Sequence, residues 1–78
     1  MVFEKVREIV AEQMSVSEDE IVLETTFKED LDADSLDIFQ IVSTLEEYFE
    51  MEFNPDDAEK IKTVADAVKY VEQPREYN

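Results

Sequence analysis

The sequence contains no cysteine, no histidine, no glycine and no tryptophan, and only seven of its 78 residues are basic. Without cysteine there is no disulfide framework, no thiol nucleophile and no thiolate-ligated zinc or iron–sulfur site. Without histidine the usual general base and the commonest metal ligand are missing as well. Without glycine the P-loop and the dinucleotide fingerprint are excluded, because both need backbone that approaches phosphate closely. The 22 acidic side chains give a formal charge of −15, which sets the surface against nucleic acid as a partner. No apolar run reaches the ~18 residues of a membrane span, and the N-terminus lacks a signal-peptide pattern. The chain therefore reads as a cytoplasmic protein, or as a mature form whose leader has been removed. Most enzyme mechanisms are gone before any motif is considered.

Apolar residues make up 44% of the chain, enough for one compact core and too many for a disordered acidic tail. Its length sets the expectation of a single domain spanning residues 1–78. Phe3, Val6, Ile9 or Val10, and Met14 share one helical face, so residues 3–14 are expected to be helix. Residues 15–34 lack sustained periodicity. Ser17 and Glu20 form a capping-box pattern that starts one short turn, and Ile21, Leu23, Phe27 and Leu31 are expected to point inward and hold this long connection to the core.

A second helix is expected from Asp34, a good N-cap, with Asp37 in the first turn where negative charge suits the helix dipole. Leu36, Ile38, Phe39, Ile41, Val42, Leu45, Tyr48 and Phe49 are too many apolar positions for one buried stripe. Either this helix is central, or part of it is reserved for a partner. It should end near Glu50, with Phe53 returning to the core. Asn54-Pro55-Asp56-Asp57 then opens a short helix, with Ile61 anchoring its end. Thr63 and Asp66 cap a last helix whose inner face is Val64, Ala67, Val68 and Val71, with Tyr70 alongside. Pro74 stops it, and residues 75–78 are expected to fray. The fold class is all-α: a four-helix bundle of three longer helices and one short one, with a long loop between the first two.

Between residues 29 and 59 there are twelve acids and no base, five in 29–37 and seven in 46–59. A solvated surface is the plain reading of a charge run. Here, however, the acids surround a helix with surplus apolar residues, and an acidic rim around an apolar centre fits a docking face for a basic partner. Asp30, Asp32 and Asp34 alternate as in an EF-hand, but the sixth position is Ser35 instead of glycine and the twelfth is Ile41 instead of glutamate. Only weak, nonspecific divalent binding by Asp30, Asp32, Asp34 and Asp37 is expected. Ser35 lies in the first turn of the second helix, where backbone N–H groups and the dipole favour an attached anion. No histidine is present to take its proton, so if it reacts another protein supplies the base.

The segment Asp30-Leu31-Asp32-Ala33-Asp34-Ser35-Leu36-Asp37 resembles the phosphopantetheine-attachment motif of acyl carrier proteins, usually D/E-L-G-A-D-S-L-D. Leu45-Glu46-Glu47-Tyr48-Phe49 resembles the family's L-E-E-x-F, and Asp57-Ala58-Glu59-Lys60-Ile61-Lys62-Thr63-Val64 its E-A-E-K-I-x-T-V segment. The resemblance covers nearly the whole chain. It implies a non-catalytic monomeric carrier whose Ser35 receives 4′-phosphopantetheine from coenzyme A through a Mg²⁺-dependent phosphopantetheinyl transferase. The arm's thiol then carries acyl chains as thioesters to fatty-acid-synthesis enzymes with basic docking patches. Asp34, Leu36, Asp37, Phe39, Gln40, Ser43, Glu46 and Glu47 match the positions that such partners touch. Asp32 replaces the family's usual glycine, Gln40 its usual glutamate, and Ser43 a bulkier apolar residue. These departures leave open a dedicated carrier for a polyketide, aminoacyl or other secondary pathway. An unmodified acidic adaptor and a divalent-ion-binding protein are the readings outside the family.

Overall fold

The computed structural model describes residues 2–72. Four helices form in chain order: α1 (Val2–Met14), α2 (Ser35–Phe49), α3 (Pro55–Ala58) and α4 (Val64–Glu72). The all-α expectation holds, with the bounds close to those the periodicity gives. Pro74 and residues 75–78 lie outside the described residues. Among those described, no helix is long and apolar enough to cross a membrane.

α1 packs against both α2 and α4. Val6 and Val10 of α1, Ile41 and Leu45 of α2, and Val64 and Val68 of α4 share one buried cluster. Phe3, Ile9 and Met14 pack at its edge, as the α1 stripe implies. The core also takes Ala11, whose small side chain lets the neighbouring helices approach.

The long connection is ordered by its own contacts. Ser17 and Glu20 make both halves of a capping box around a single 3₁₀ turn, Glu18–Glu20. Ile21 and Phe27 are buried and Leu31 is half-buried, as expected. Leu23 is not: it is 43% exposed, while Thr25 turns inward to 5%. The reason lies in backbone hydrogen bonding. The Val22 N–H donates to Thr25 Oγ1 (2.9 Å), and the Leu23 carbonyl accepts from Ala65 at the start of α4 (2.9 Å). This turn satisfies the buried threonine hydroxyl and leaves Leu23 outside.

The second half of the connection hangs on α4. Thr26 and Thr63 form an isolated antiparallel bridge. Phe27 N–H donates to the Lys62 carbonyl (3.0 Å) and Val64 N–H to that of Thr25 (2.9 Å). Side chains cap the starts of α2, α3 and α4. Asn54 caps α3 with Pro55 at its first position. Asp66 and Thr63 exchange bonds at the start of α4, where Asp66 also accepts from Lys62 N–H. α2 ends in a left-handed Glu50 (φ 52°), and the Met51 N–H returns to the Glu46 carbonyl.

Candidate functional site

Ser35 is the first residue of α2 and is exposed. The segment before it is fixed from below. Ala33, buried, donates its N–H to the Phe27 carbonyl (2.9 Å), while Thr26 and Asp30 exchange side-chain bonds with each other's backbone N–H groups. Asp32 takes the turn between them in a left-handed backbone conformation (φ 56°), as the glycine usual in this motif would. Asp34 then caps α2. Its carboxylate accepts from Asp37 N–H (3.0 Å), and the Asp37 carboxylate accepts from Asp34 N–H (3.2 Å). The two acids flanking Ser35 are thus engaged with the backbone, and its hydroxyl takes no part in the cap.

A cleft of about 1050 Å³ opens beside Ser35. Ile38, Val42, Phe53 and Ile61 give it an apolar wall, and Lys28, Glu29, Glu59 and Lys62 stand among its polar lining. Ser35 therefore joins a helix N-terminus to a sheltered apolar space. This arrangement fits a phosphopantetheine arm on its own terms: an uncommitted hydroxyl for attachment, a positive helix end for the phosphate, and apolar surface beyond. Ser35 would hold the arm, and Ile38, Val42, Phe53 and Ile61 the apolar part of whatever it bears.

The other anticipated positions separate into groups. Leu36 and Phe39 are 77% and 69% exposed, Gln40 and Glu47 are exposed, and Ser43 is half-buried, so α2 presents an apolar strip with polar edges beside Ser35. α2 is therefore not a wholly central helix, since Leu36, Phe39 and Tyr48 face outward. Tyr48, also exposed, instead lies under the Lys5 ammonium, 4.7 Å from the ring centroid. Glu46 turns toward the chain itself: its Oε2 accepts the Phe53 N–H at 2.8 Å. Asp30, Asp34 and Asp37 are each hydrogen-bonded to backbone, and among the described residues no group of three or more acids is placed to hold a metal ion.

Sequence reasoning missed the cleft wall and what supports it. Tyr70 lies at the centre. Its ring stacks on Phe53 (4.3 Å between centroids, 13° between planes). Its hydroxyl accepts from Asn54 N–H (3.0 Å) and donates to Asp57 Oδ2 (2.9 Å). The Asn54 N–H draws the phenol toward ionisation. Burial, together with the hydrogen bond to Asp57 and that residue's charge, outweighs it and leaves the pKa above its ordinary value.

Fold and site together describe a small helical bundle with an exposed serine at a helix start, beside an apolar cleft. Comparison with known proteins agrees. The family described as phosphopantetheine attachment site matches residues 4–71. Acyl carrier proteins from three strains of Clostridium perfringens are 51% identical over 74 residues, 95% of this chain and 97% of theirs. A solved structure of the acyl carrier protein from Enterococcus faecalis superposes with a TM-score of 0.77 at 37% identity, over 90% of this chain and 89% of that one. The chain belongs to the phosphopantetheine-attachment family of acyl carrier proteins.

Proposed function

We propose that the chain is a single-domain, non-catalytic carrier that bears 4′-phosphopantetheine on Ser35 and presents acyl groups to biosynthetic enzymes of the fatty-acid type. The observation that carries this reading is the exposed Ser35 hydroxyl, outside the capping box of α2 and at the edge of an apolar cleft. When bound, the arm supplies the thiol that the chain itself lacks. The chain's own residues do the rest. Asp34 and Asp37 fix the helix start, the Thr26–Asp30 exchange and the Phe27–Ala33 bond fix the approach to it, and the cleft shelters apolar cargo from water.

Leu36 and Phe39 form the apolar centre of a docking strip, with Gln40, Ser43 and Glu47 at its edge and Asp34 and Asp37 beside Ser35. Glu46 belongs to it through one carboxylate edge, the other being engaged with Phe53. Partners are a phosphopantetheinyl transferase and acyl-transfer enzymes with basic patches, which an acidic, apolar-centred strip complements. The carrier works as a cytoplasmic monomer. Gln40, exposed where the family's fatty-acid members usually carry glutamate, favours as second reading a carrier dedicated to another pathway with differently charged partners.

Incubation of the unmodified protein with coenzyme A, Mg²⁺ and a broad-specificity transferase tests this. Intact mass should rise by one phosphopantetheine, and Ser35→Ala should abolish the gain. An unmodified wild type, where a control carrier is modified, would refute the assignment.

A further inference from the structure

Ser35 and Glu46 both border the cleft, and the eleven residue steps of α2 from one to the other span about 16 Å along the helix axis. The cleft therefore has a near end at the attachment serine and a far end at Glu46. At that far end the Glu46 carboxylate binds the backbone of Phe53, and Phe53 itself lines the cleft. We infer that Phe53 is the stop that sets how long an acyl chain the cleft can shelter, and that Tyr70 is the residue that positions it. The inference rests on the carrier reading above and adds to it a specificity determinant.

Phe53 is held more firmly than a loop residue needs for burial alone. It is 6% exposed, its N–H is tied to α2, and its ring lies flat on Tyr70. Tyr70 in turn bonds the next backbone N–H, Asn54, and the carboxylate of Asp57 in α3. One phenol thus links α4 to both the loop and the short helix that follow α2. A four-residue helix has little stability of its own, so its position is set by such tertiary contacts. A wall on such a support yields only when the Tyr70 bonds break, which makes the cleft's far end fixed for short cargo and resistant to long cargo.

The test uses wild type, Phe53→Leu and Tyr70→Phe, each loaded with butanoyl, octanoyl, dodecanoyl or hexadecanoyl groups through the transferase, with loading confirmed by intact mass. Hydroxylamine cleavage of the thioester reports shelter. In wild type, cleavage should slow with chain length until the chain meets Phe53, by at most about four-fold per sheltered methylene, and then level off. In Phe53→Leu the levelling should move to longer chains, so that hexadecanoyl cleavage is about three-fold slower than in wild type while butanoyl cleavage is unchanged. Tyr70→Phe keeps the stacked ring and removes the hydroxyl. It should move the profile in the same direction by less, and in the unloaded protein should speed amide exchange at Asn54 about five-fold with α1 unaffected. Thermal melts show whether Phe53→Leu folds; if it does not, the Tyr70→Phe profile and exchange decide alone. Length profiles identical to wild type in folded, fully loaded variants would overturn the inference, as would unchanged Asn54 exchange in Tyr70→Phe. Absence of any mass gain on the wild type would instead bring down the carrier reading, and this inference with it, before a cleavage rate is measured.

Discussion

Asp32 occupies a left-handed backbone conformation three residues before Ser35, in a chain with no glycine to take that role. Ser15 and Glu50 do the same at the ends of α1 and α2, with φ of 57° and 52°. For an L-residue this conformation costs roughly 1–2 kcal/mol, and aspartate is among the least penalised because its short polar side chain can bond locally. Asp32→Val should therefore destabilise the protein by about 2 kcal/mol, since a β-branched side chain tolerates the conformation worst. Asp32→Gly should raise stability by about 0.5 kcal/mol, the relieved strain being partly offset by the greater freedom of glycine in the unfolded chain. Urea unfolding at neutral pH measures both. A valine variant as stable as wild type would mean that the turn is not constrained as its φ implies. The same position adds a carboxylate near Ser35 that a glycine there would not supply.

Asp66 shows how an element boundary couples to pH. Its carboxylate accepts from the backbone N–H groups of Lys62 and Thr63, and these bonds hold its pKa below the ordinary value of 3.8. A carboxyl with a lowered folded-state pKa contributes stability that is present above its unfolded value, about 3.9, and lost as pH falls through the folded value. Asp66→Asn keeps an acceptor oxygen and removes the charge, so it should melt at lower temperature than wild type at neutral pH, by an amount corresponding to about 0.3–1 kcal/mol, the worth of a negative charge in the first turn of a helix. The gap between the two proteins should begin to narrow below about pH 4 and close as pH falls further. A gap that persists unchanged into acid would place the loss in packing instead of in the charged cap.

This cap was legible in the sequence because Thr63 and Asp66 are neighbours, as were Asp34 with Asp37 and Ser17 with Glu20. Helix starts are local chemistry and leave a local signature. Leu23 was misplaced for the opposite reason. Its direction is decided by Ala65, 42 residues away, whose N–H claims the Leu23 carbonyl and so fixes the turn that buries Thr25 in its stead. The Thr26–Thr63 bridge and the Tyr70 contacts with Phe53, Asn54 and Asp57 are equally long-range, and no spacing in the chain announces them. That Ser35 starts a helix and that Leu36 and Phe39 on the same helix are exposed could be anticipated, because the helix start and the surplus of apolar positions are both local to α2. The cleft wall was not legible, since it is assembled from α2, the α2–α3 loop and the α3–α4 connection.

At the scale of the whole molecule, charge and the exposed apolar strip act on different steps of recognition. With −15 net charge and twelve acids on residues 29–59, a basic partner docking as proposed would be drawn toward the α2 side of the protein from a distance of about a Debye length, ~10 Å at 0.1 M salt. Asp37 is a poor place to test this, because its carboxylate also caps α2 and its loss would weaken the helix. Glu47 is exposed and one turn beyond Ser43, so its reversal changes the field with the cap intact. Glu47→Lys should slow association with the transferase by roughly two- to ten-fold at low ionic strength and flatten the salt dependence of the association rate. Phe39→Ala should leave association nearly unchanged and speed dissociation by about ten-fold or more, as for an apolar anchor worth over 1 kcal/mol at an interface. Because Phe39 is 69% exposed, its removal should not lower the melting temperature by more than about 4 °C, the shift of a surface substitution within 0.5 kcal/mol. Stopped-flow binding beside a thermal melt separates these effects. An association rate for Glu47→Lys equal to that of wild type at low salt, in a protein that melts normally, would place the docking surface elsewhere than on this face of α2.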